Sequence, residues 1–100
     1  MSTYVVTEFN VQPERTEELV TALSQALPDS LVHDGCEAIS LRRNQDDSNN
    51  IVSFTQWVSR RHYDEYLAWR TEAGLTDELG AMLTQAMSIR YFDEVIGLSR

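Results

Sequence analysis

Four separate segments of the chain are predicted as β-strands, the first of them because Thr, Tyr, Val and Phe dominate it. In the first segment Val5 and Phe9 alternate with Tyr4 and Val6, so both faces of that strand carry apolar side chains. The seven residues 44–50 are all polar, which predicts a hairpin turn between the second and third strands. We predict strands at residues 3–12, 36–44, 51–58 and 87–96.

Helical spacing replaces this alternation between the first two strands. Leu19, Leu23 and Leu27 recur every four residues and form one stripe of a helix predicted over residues 14–27. Because a proline lacks the backbone N–H and clashes with the preceding turn, we predict a break or kink at Pro28, followed by one more turn through Leu31 and Val32.

A second helix is predicted from Arg60 to Glu72, with Ser59 as its N-cap. Gly74 interrupts the pattern, and we expect Thr76 to cap a short third helix. At 100° per residue, one continuous face of the second helix carries His62, Tyr63, Tyr66, Leu67, Trp69, Arg70 and Ala73.

The order of elements, β-α-β-β-α-α-β, predicts a ferredoxin-like α+β fold with an antiparallel sheet. Its helices cover one face of the sheet. The other face should then be polar, yet the first, third and fourth strands carry apolar residues on both sides. A second copy packed sheet against sheet would bury this surface, so we predict a homodimer.

Composition limits the possible functions. The 100 residues allow one domain, with its core at about 3–96 and a tail at 97–100. A net charge of −8 disfavours binding to nucleic acid or an anionic membrane. The absence of lysine excludes Schiff-base chemistry and a P-loop. A single cysteine, Cys36, excludes an internal disulfide and favours the reducing cytoplasm.

Four short motifs, in this order and at this chain length, resemble the antibiotic biosynthesis monooxygenase family of the dimeric α/β-barrel superfamily. They are Val11-Gln12-Pro13-Glu14, Gly35-Cys36, the segment from Ser53 to Ser59 followed by Tyr63, and Arg90-Tyr91-Phe92-Asp93. The resemblance implies a barrel assembled from two chains. It covers residues 3–95.

The resemblance also implies two alternative activities. Some members oxidise aromatic polyketide intermediates or quinols with O₂ and without a cofactor, and others degrade haem. In the oxidising branch, the positions equivalent to Trp57 and Tyr63 lie in the active site, and an asparagine stands where this chain has Ser53. The residues of the haem-degrading branch are not matched at Thr7 or Tyr66, so we reject haem degradation.

The aromatic face of the second helix has two interpretations. It is either ordinary core, or one wall of a flat apolar pocket for an aromatic ligand. The polar tips of Tyr63, Tyr66 and Trp69 favour the pocket, because each needs a partner when buried. Arg70 either pairs with an acid such as Glu8 or holds an anionic oxygen of a ligand.

His62 is either a surface histidine or an acid–base group that titrates near neutrality. No motif for a metal or a nucleotide cofactor is present, so we expect none. The function is a cofactor-independent monooxygenase acting on an aromatic or quinol-like molecule, or a non-catalytic dimeric ligand-binding domain. We predict Trp57, Tyr63 and His62 as catalytic residues, and Ser53, Tyr66, Trp69 and Arg70 as substrate-binding residues.

Overall fold

The computed structural model describes residues 1–100 and contains one four-stranded antiparallel sheet with helices on one face. The sheet has the order β2-β3-β1-β4, which confirms the predicted ferredoxin-like α+β fold. Its strands are β1 (Thr3–Asn10), β2 (Cys36–Arg43), β3 (Asn50–Trp57) and β4 (Ser88–Phe92). A 3₁₀ turn (Pro13–Arg15) precedes the helices α1 (Thr16–Leu31), α2 (Arg60–Glu72) and α3 (Leu75–Gly80).

The core lies between the sheet and the helices. Alternation in β1 buries Val5, Thr7 and Phe9 against the helices, as the sequence predicted. Leu19 of α1 and Ile51 of β3 are almost fully buried in the larger of two apolar clusters. None of the helices combines the length and the apolarity that a membrane crossing requires.

Two predictions need correction. Of the break or kink predicted at Pro28, the break is absent, whereas the further turn predicted after it is present, because α1 continues to Leu31. Pro28 is exposed, so its missing backbone hydrogen bond lies on the solvent side, where water can replace it. Strand β4 ends at Phe92 rather than at residue 96, because Phe92 pairs with Tyr4 near the start of β1 and the following residues have no strand beside them.

The predicted N-cap is confirmed for α2 but not for α3. Ser59 caps α2 as predicted, since its Oγ accepts from the backbone N–H of His62 at 3.3 Å. The predicted Thr76 cap of α3 is wrong. Gly74 occupies the N-cap with a φ of +90°, because the short connection between the helices needs a left-handed residue there. Thr76 lies inside α3, and its hydroxyl contacts the Thr71 hydroxyl at 3.1 Å.

The face of the sheet away from the helices is apolar and uncovered within one protomer. Tyr4 and Val6 of β1 are half-buried there, while Phe54 of β3 is 38% exposed and Phe92 of β4 is 45% exposed. Val6 pairs with Phe54 across the β1–β3 ladder, so these side chains form one contiguous surface. We call this surface the open face.

The turn before β2 brings the chain close to α2. Gly35 has a φ of +87°, and a Cβ atom placed on it would lie 2.5 Å from the Cβ of His62. Its carbonyl accepts from the N–H of Val58 at 2.8 Å. Only glycine combines ready access to a positive φ with the absence of a Cβ atom, and this position requires both.

Candidate active site

A cavity lies between the sheet and the helices. Its empty volume, including the open mouth, is about 610 Å³. Eleven of its 17 lining residues are hydrophobic. The lining includes no carboxylate and no imidazole, and Arg70 is its one residue with a formal charge. The other six are Thr7, Ser30, Ser53, Thr55, Arg70 and Thr76, and the hydrophobic eleven include Tyr63 and Tyr66, which carry phenol hydroxyls.

Trp57 forms the aromatic wall of the cavity. It is the last residue of β3 and is 0% exposed. Its indole Nε1 donates to the Thr55 hydroxyl at 2.9 Å, which fixes the orientation of the ring. The ring centroids of Tyr63 and Tyr66 lie 5.5 Å and 4.8 Å from it, so three aromatic rings pack together here.

Tyr63 is held on the first turn of α2 and is 5% exposed. Burial is the main cause that raises the pKa of Tyr63 to about 12, with a smaller opposing contribution from the Thr7 hydroxyl. The phenol therefore keeps its proton at neutral pH. In this state Tyr63 can donate a hydrogen bond to a ligand oxygen, but it cannot act as a base.

Tyr66 and Arg70 lie one helical turn apart on α2 and meet Ser30 of α1. The Tyr66 hydroxyl and the Ser30 Oγ are 2.6 Å apart. Arg70 donates from Nε to the Tyr66 hydroxyl at 3.2 Å, and from Nη2 to Ser30 Oγ at 2.8 Å and to the Ala26 carbonyl at 2.7 Å. This network fixes the guanidinium at the wall of the cavity. We call these three residues the Ser30–Tyr66–Arg70 cluster.

Five of the seven predicted site residues line the cavity, and two do not. The five are Ser53, Trp57, Tyr63, Tyr66 and Arg70. His62 lies outside it, with Nδ1 2.7 Å from Ser59 Oγ and Nε2 3.9 Å from an Asp34 carboxylate oxygen. Trp69 is 39% exposed and stacks on His33, with 5.1 Å between ring centroids. Roles for His62 and Trp69 in the chemistry stay predictions.

Two residues near the site were missed. Ser30 is 1% exposed and follows Leu19, Leu23 and Leu27 on the inner stripe of α1, so a polar residue at a core position was the available signal. The second is His33, whose ring lies 5.4 Å from that of Tyr66. No sequence signal marks His33, because its position depends on the turn after α1.

The profile of the antibiotic biosynthesis monooxygenase family matches residues 2–71 of the chain. This match includes the strands and helices that hold Ser53, Trp57, Tyr63 and Tyr66. The protein belongs to the antibiotic biosynthesis monooxygenase family. No protein of curated function matches the chain.

Solved structures agree in fold at low sequence identity. Rv0793 from Mycobacterium tuberculosis is 20% identical, with a TM-score of 0.87 over 99% of this chain and 100% of its own. A variant of SnoaB from Streptomyces nogalater, a cofactor-independent oxygenase, is 18% identical, with a TM-score of 0.85 over 99% and 98%. The monooxygenase ActVA-Orf6 of Streptomyces coelicolor, solved with nanaomycin D, is 17% identical, with a TM-score of 0.83 over 99% and 92%.

Proposed function

We propose that the protein is a cofactor-independent monooxygenase that oxidises an aromatic, quinol-like small molecule. The observation that carries this proposal is the apolar cavity, whose wall combines three packed aromatic rings with two phenol hydroxyls and one guanidinium. Such a site binds a flat aromatic ring by its faces and orients it by its oxygens. Two solved relatives in fold, SnoaB and ActVA-Orf6, are described as oxygenases.

The chemistry requires little from the protein. An anthrone or quinol that loses a proton becomes an electron-rich anion, which can itself reduce O₂. For an anthrone, the ring methylene loses two hydrogens and gains one oxygen atom as a carbonyl, and the second oxygen leaves as water. The protein then has to bind the ring, stabilise the anion and exclude water from the intermediate.

The lining residues divide this work. Trp57 supplies the aromatic wall, and Tyr63, whose phenol stays neutral, donates a hydrogen bond to a substrate oxygen. Ser53 and Tyr66 contact the substrate with their hydroxyls, and Arg70 stabilises negative charge on it. We retain His62 as the predicted acid–base group at the edge of α2, to be tested separately.

Oxygen consumption tests this function. With anthrone and quinol substrates, the wild-type protein should consume O₂ faster than buffer, with one O₂ used for each anthrone converted to anthraquinone. We expect Tyr63→Phe to lower kcat/KM by about 10- to 100-fold, because it removes one hydrogen-bond donor at the developing charge. His62→Gln should lower kcat/KM only if the imidazole donates or accepts a proton in the reaction.

Tyr91→Phe is the matched control for Tyr63→Phe. The ring of Tyr91 lies 5.7 Å from that of Tyr63, but its hydroxyl contacts Asp64 on the surface at 3.3 Å. This variant should therefore keep wild-type turnover. Uptake no faster than buffer with every substrate, together with tight binding of an aromatic ligand, would favour the non-catalytic ligand-binding domain instead.

We propose further that the active form is a cytoplasmic homodimer in which two open faces pack against each other. The open face is apolar and contiguous, and a stable protomer would otherwise leave Phe54 and Phe92 in water. Arg42 stacks on Phe54 at 4.7 Å and supplies a polar rim to this surface. The free Cys36 fits the reducing cytoplasm.

Sedimentation of a charged variant tests the dimer. The wild-type protein should sediment as a dimer at micromolar concentration. Phe54→Glu should weaken association by about 100-fold or more, because it buries a carboxylate in an apolar interface. Val32→Glu is the control, since Val32 is 83% exposed at the end of α1 and away from the sheet. A monomeric wild-type protein at this concentration contradicts the proposal.

A further inference from the structure

Arg70 keeps part of its hydrogen-bonding capacity free. A guanidinium has five N–H groups. In Arg70 three of them, one on Nε and two on Nη2, donate hydrogen bonds to Tyr66, Ser30 and Ala26. Nη1 has no acceptor within the protein. Every fully buried side-chain nitrogen or oxygen has a partner, so Nη1 is not sealed inside the protein. Arg70, a residue of the cavity lining, therefore keeps two unused donors on a fixed, positively charged group.

The charge of Arg70 is not compensated. Its three acceptors are a carbonyl and two hydroxyls, all neutral, and no carboxylate lies within the 4.0 Å of an ion pair. Glu8, which the sequence suggested as its partner, instead accepts from Asn50 at 3.1 Å. A half-buried guanidinium without a counter-charge is costly, and this arrangement favours a site whose counter-charge arrives with the ligand.

The aromatic wall places a bound ring next to this charge. The Tyr66 ring lies 4.8 Å from Trp57 and 5.9 Å from Tyr63, and its hydroxyl touches Arg70. A flat ligand that packs against these rings thus presents its oxygen substituents to the Ser30–Tyr66–Arg70 cluster.

We propose that the cavity selects an acidic aromatic hydroxyl compound in its ionised form, a phenolate or enolate, with Arg70 Nη1 as the counter-charge. The inference rests on the proposed function, because it names the protonation state in which the substrate of that same site is bound. When a neutral compound binds, its O–H bond breaks, the electron pair stays on oxygen and the proton passes to water. This ionisation needs no base among the lining residues, which include no carboxylate or imidazole, and it leaves the separate test of His62 unaffected.

Besides Tyr66 within the cluster, two titratable groups, Tyr63 and His33, face it and enter its pH dependence. Tyr63 and Tyr66 project from α2, and His33 lies in the turn between α1 and β2, 5.1 Å from the Trp69 ring that Arg70 also contacts. A protonated His33 would add positive charge near the same ligand. The measurement is therefore repeated with His33→Gln, which should retain the effect of Arg70.

A coloured ligand gives a direct test. Alizarin, a hydroxyanthraquinone already at the product oxidation level, absorbs at different wavelengths as phenol and as phenolate. We expect its pKa to fall by about one unit or more on binding, which corresponds to a tenfold or greater preference for the anion. Arg70→Met should abolish this shift and weaken anion binding by about 10-fold or more.

Two variants separate charge from structure. Arg70→Lys keeps a positive charge and should keep part of the shift, whereas a merely structural effect would remove it in both Arg70 variants. Arg60→Met is the matched control, because Arg60 is exposed and stacks on Tyr91 outside the cavity. An unchanged alizarin pKa on binding, or a full shift in Arg70→Met, overturns the proposal.

The two proposals can fail separately. If alizarin binds as the anion through Arg70 and no anthrone or quinol is oxidised, the proposed function fails and the selection of an anion stands. If oxygen uptake is rapid and alizarin binds as the neutral phenol, the oxygenase stands and the selection of an anion fails.

Discussion

Trp57→Ala is expected to lower the free energy of unfolding by about 3–5 kcal/mol, the range for removing a buried aromatic side chain. The indole is 0% exposed and contacts the rings of Tyr63 and Tyr66, so neighbouring groups can fill the resulting void only by abandoning their own contacts. Urea unfolding monitored by circular dichroism, at one fixed protein concentration, measures the change.

Trp69→Ala is the control for this experiment. Trp69 is the other tryptophan of the chain and is 39% exposed, so its removal should cost about 1 kcal/mol or less. Trp57→Phe keeps an aromatic ring in the wall, so its loss of unfolding free energy should lie between the losses of the two alanine variants. Equal losses for both alanine variants would contradict the assignment of Trp57 to the centre of the packed wall.

Alkaline unfolding should reveal the buried phenol of Tyr63. Its pKa is raised to about 12 in the folded protein, mainly by burial, against an ordinary value of 10 in the unfolded chain. The unfolded chain therefore loses this proton first as the pH rises. The stability contributed by the neutral phenol is complete below pH 10 and is lost progressively between pH 10 and pH 12.

Comparison with Tyr63→Phe isolates this contribution. Between pH 9 and pH 11 the wild-type protein should lose about 1.4 kcal/mol more stability than the variant, because linkage converts one pH unit above the unfolded pKa into that amount. Burial also raises the pKa of Tyr91, but that residue is present in both proteins and cancels in the difference. Parallel pH dependences of the two proteins would show that Tyr63 ionises like an exposed tyrosine.

The spacing of apolar residues and the order of the predicted elements were enough to predict most of the fold. Alternation located the strands because one sheet face must be buried, and Leu19, Leu23 and Leu27 located α1 because a helix presents a stripe at that spacing. The errors concern positions whose structure depends on what lies next to them in the fold. Pro28 is accommodated within α1 because its unsatisfied side faces solvent, and β4 ends at Phe92, opposite Tyr4 near the start of β1.

The site was predictable only in part. The spacing of Tyr63, Tyr66 and Arg70 on α2 placed them on one face, and the structure shows that this face lines a cavity. Spacing within one helix could not show that Arg70 meets Ser30 and the Ala26 carbonyl, because these contacts depend on how α1 crosses α2. It also could not separate His62, at the margin of the same face, from the residues that reach the cavity.

Gly35 has a consequence for the placement of α2. Because Gly35 has no side chain, the start of α2 can rest directly on the turn before β2, and the Cβ of His62 occupies the space that any other residue would need. The close approach of α2 to this turn, and with it the position of Tyr63 next to His62, therefore depends on a residue that does not line the cavity. A methyl group added at position 35 would force the first turn of α2 or the turn before β2 to move.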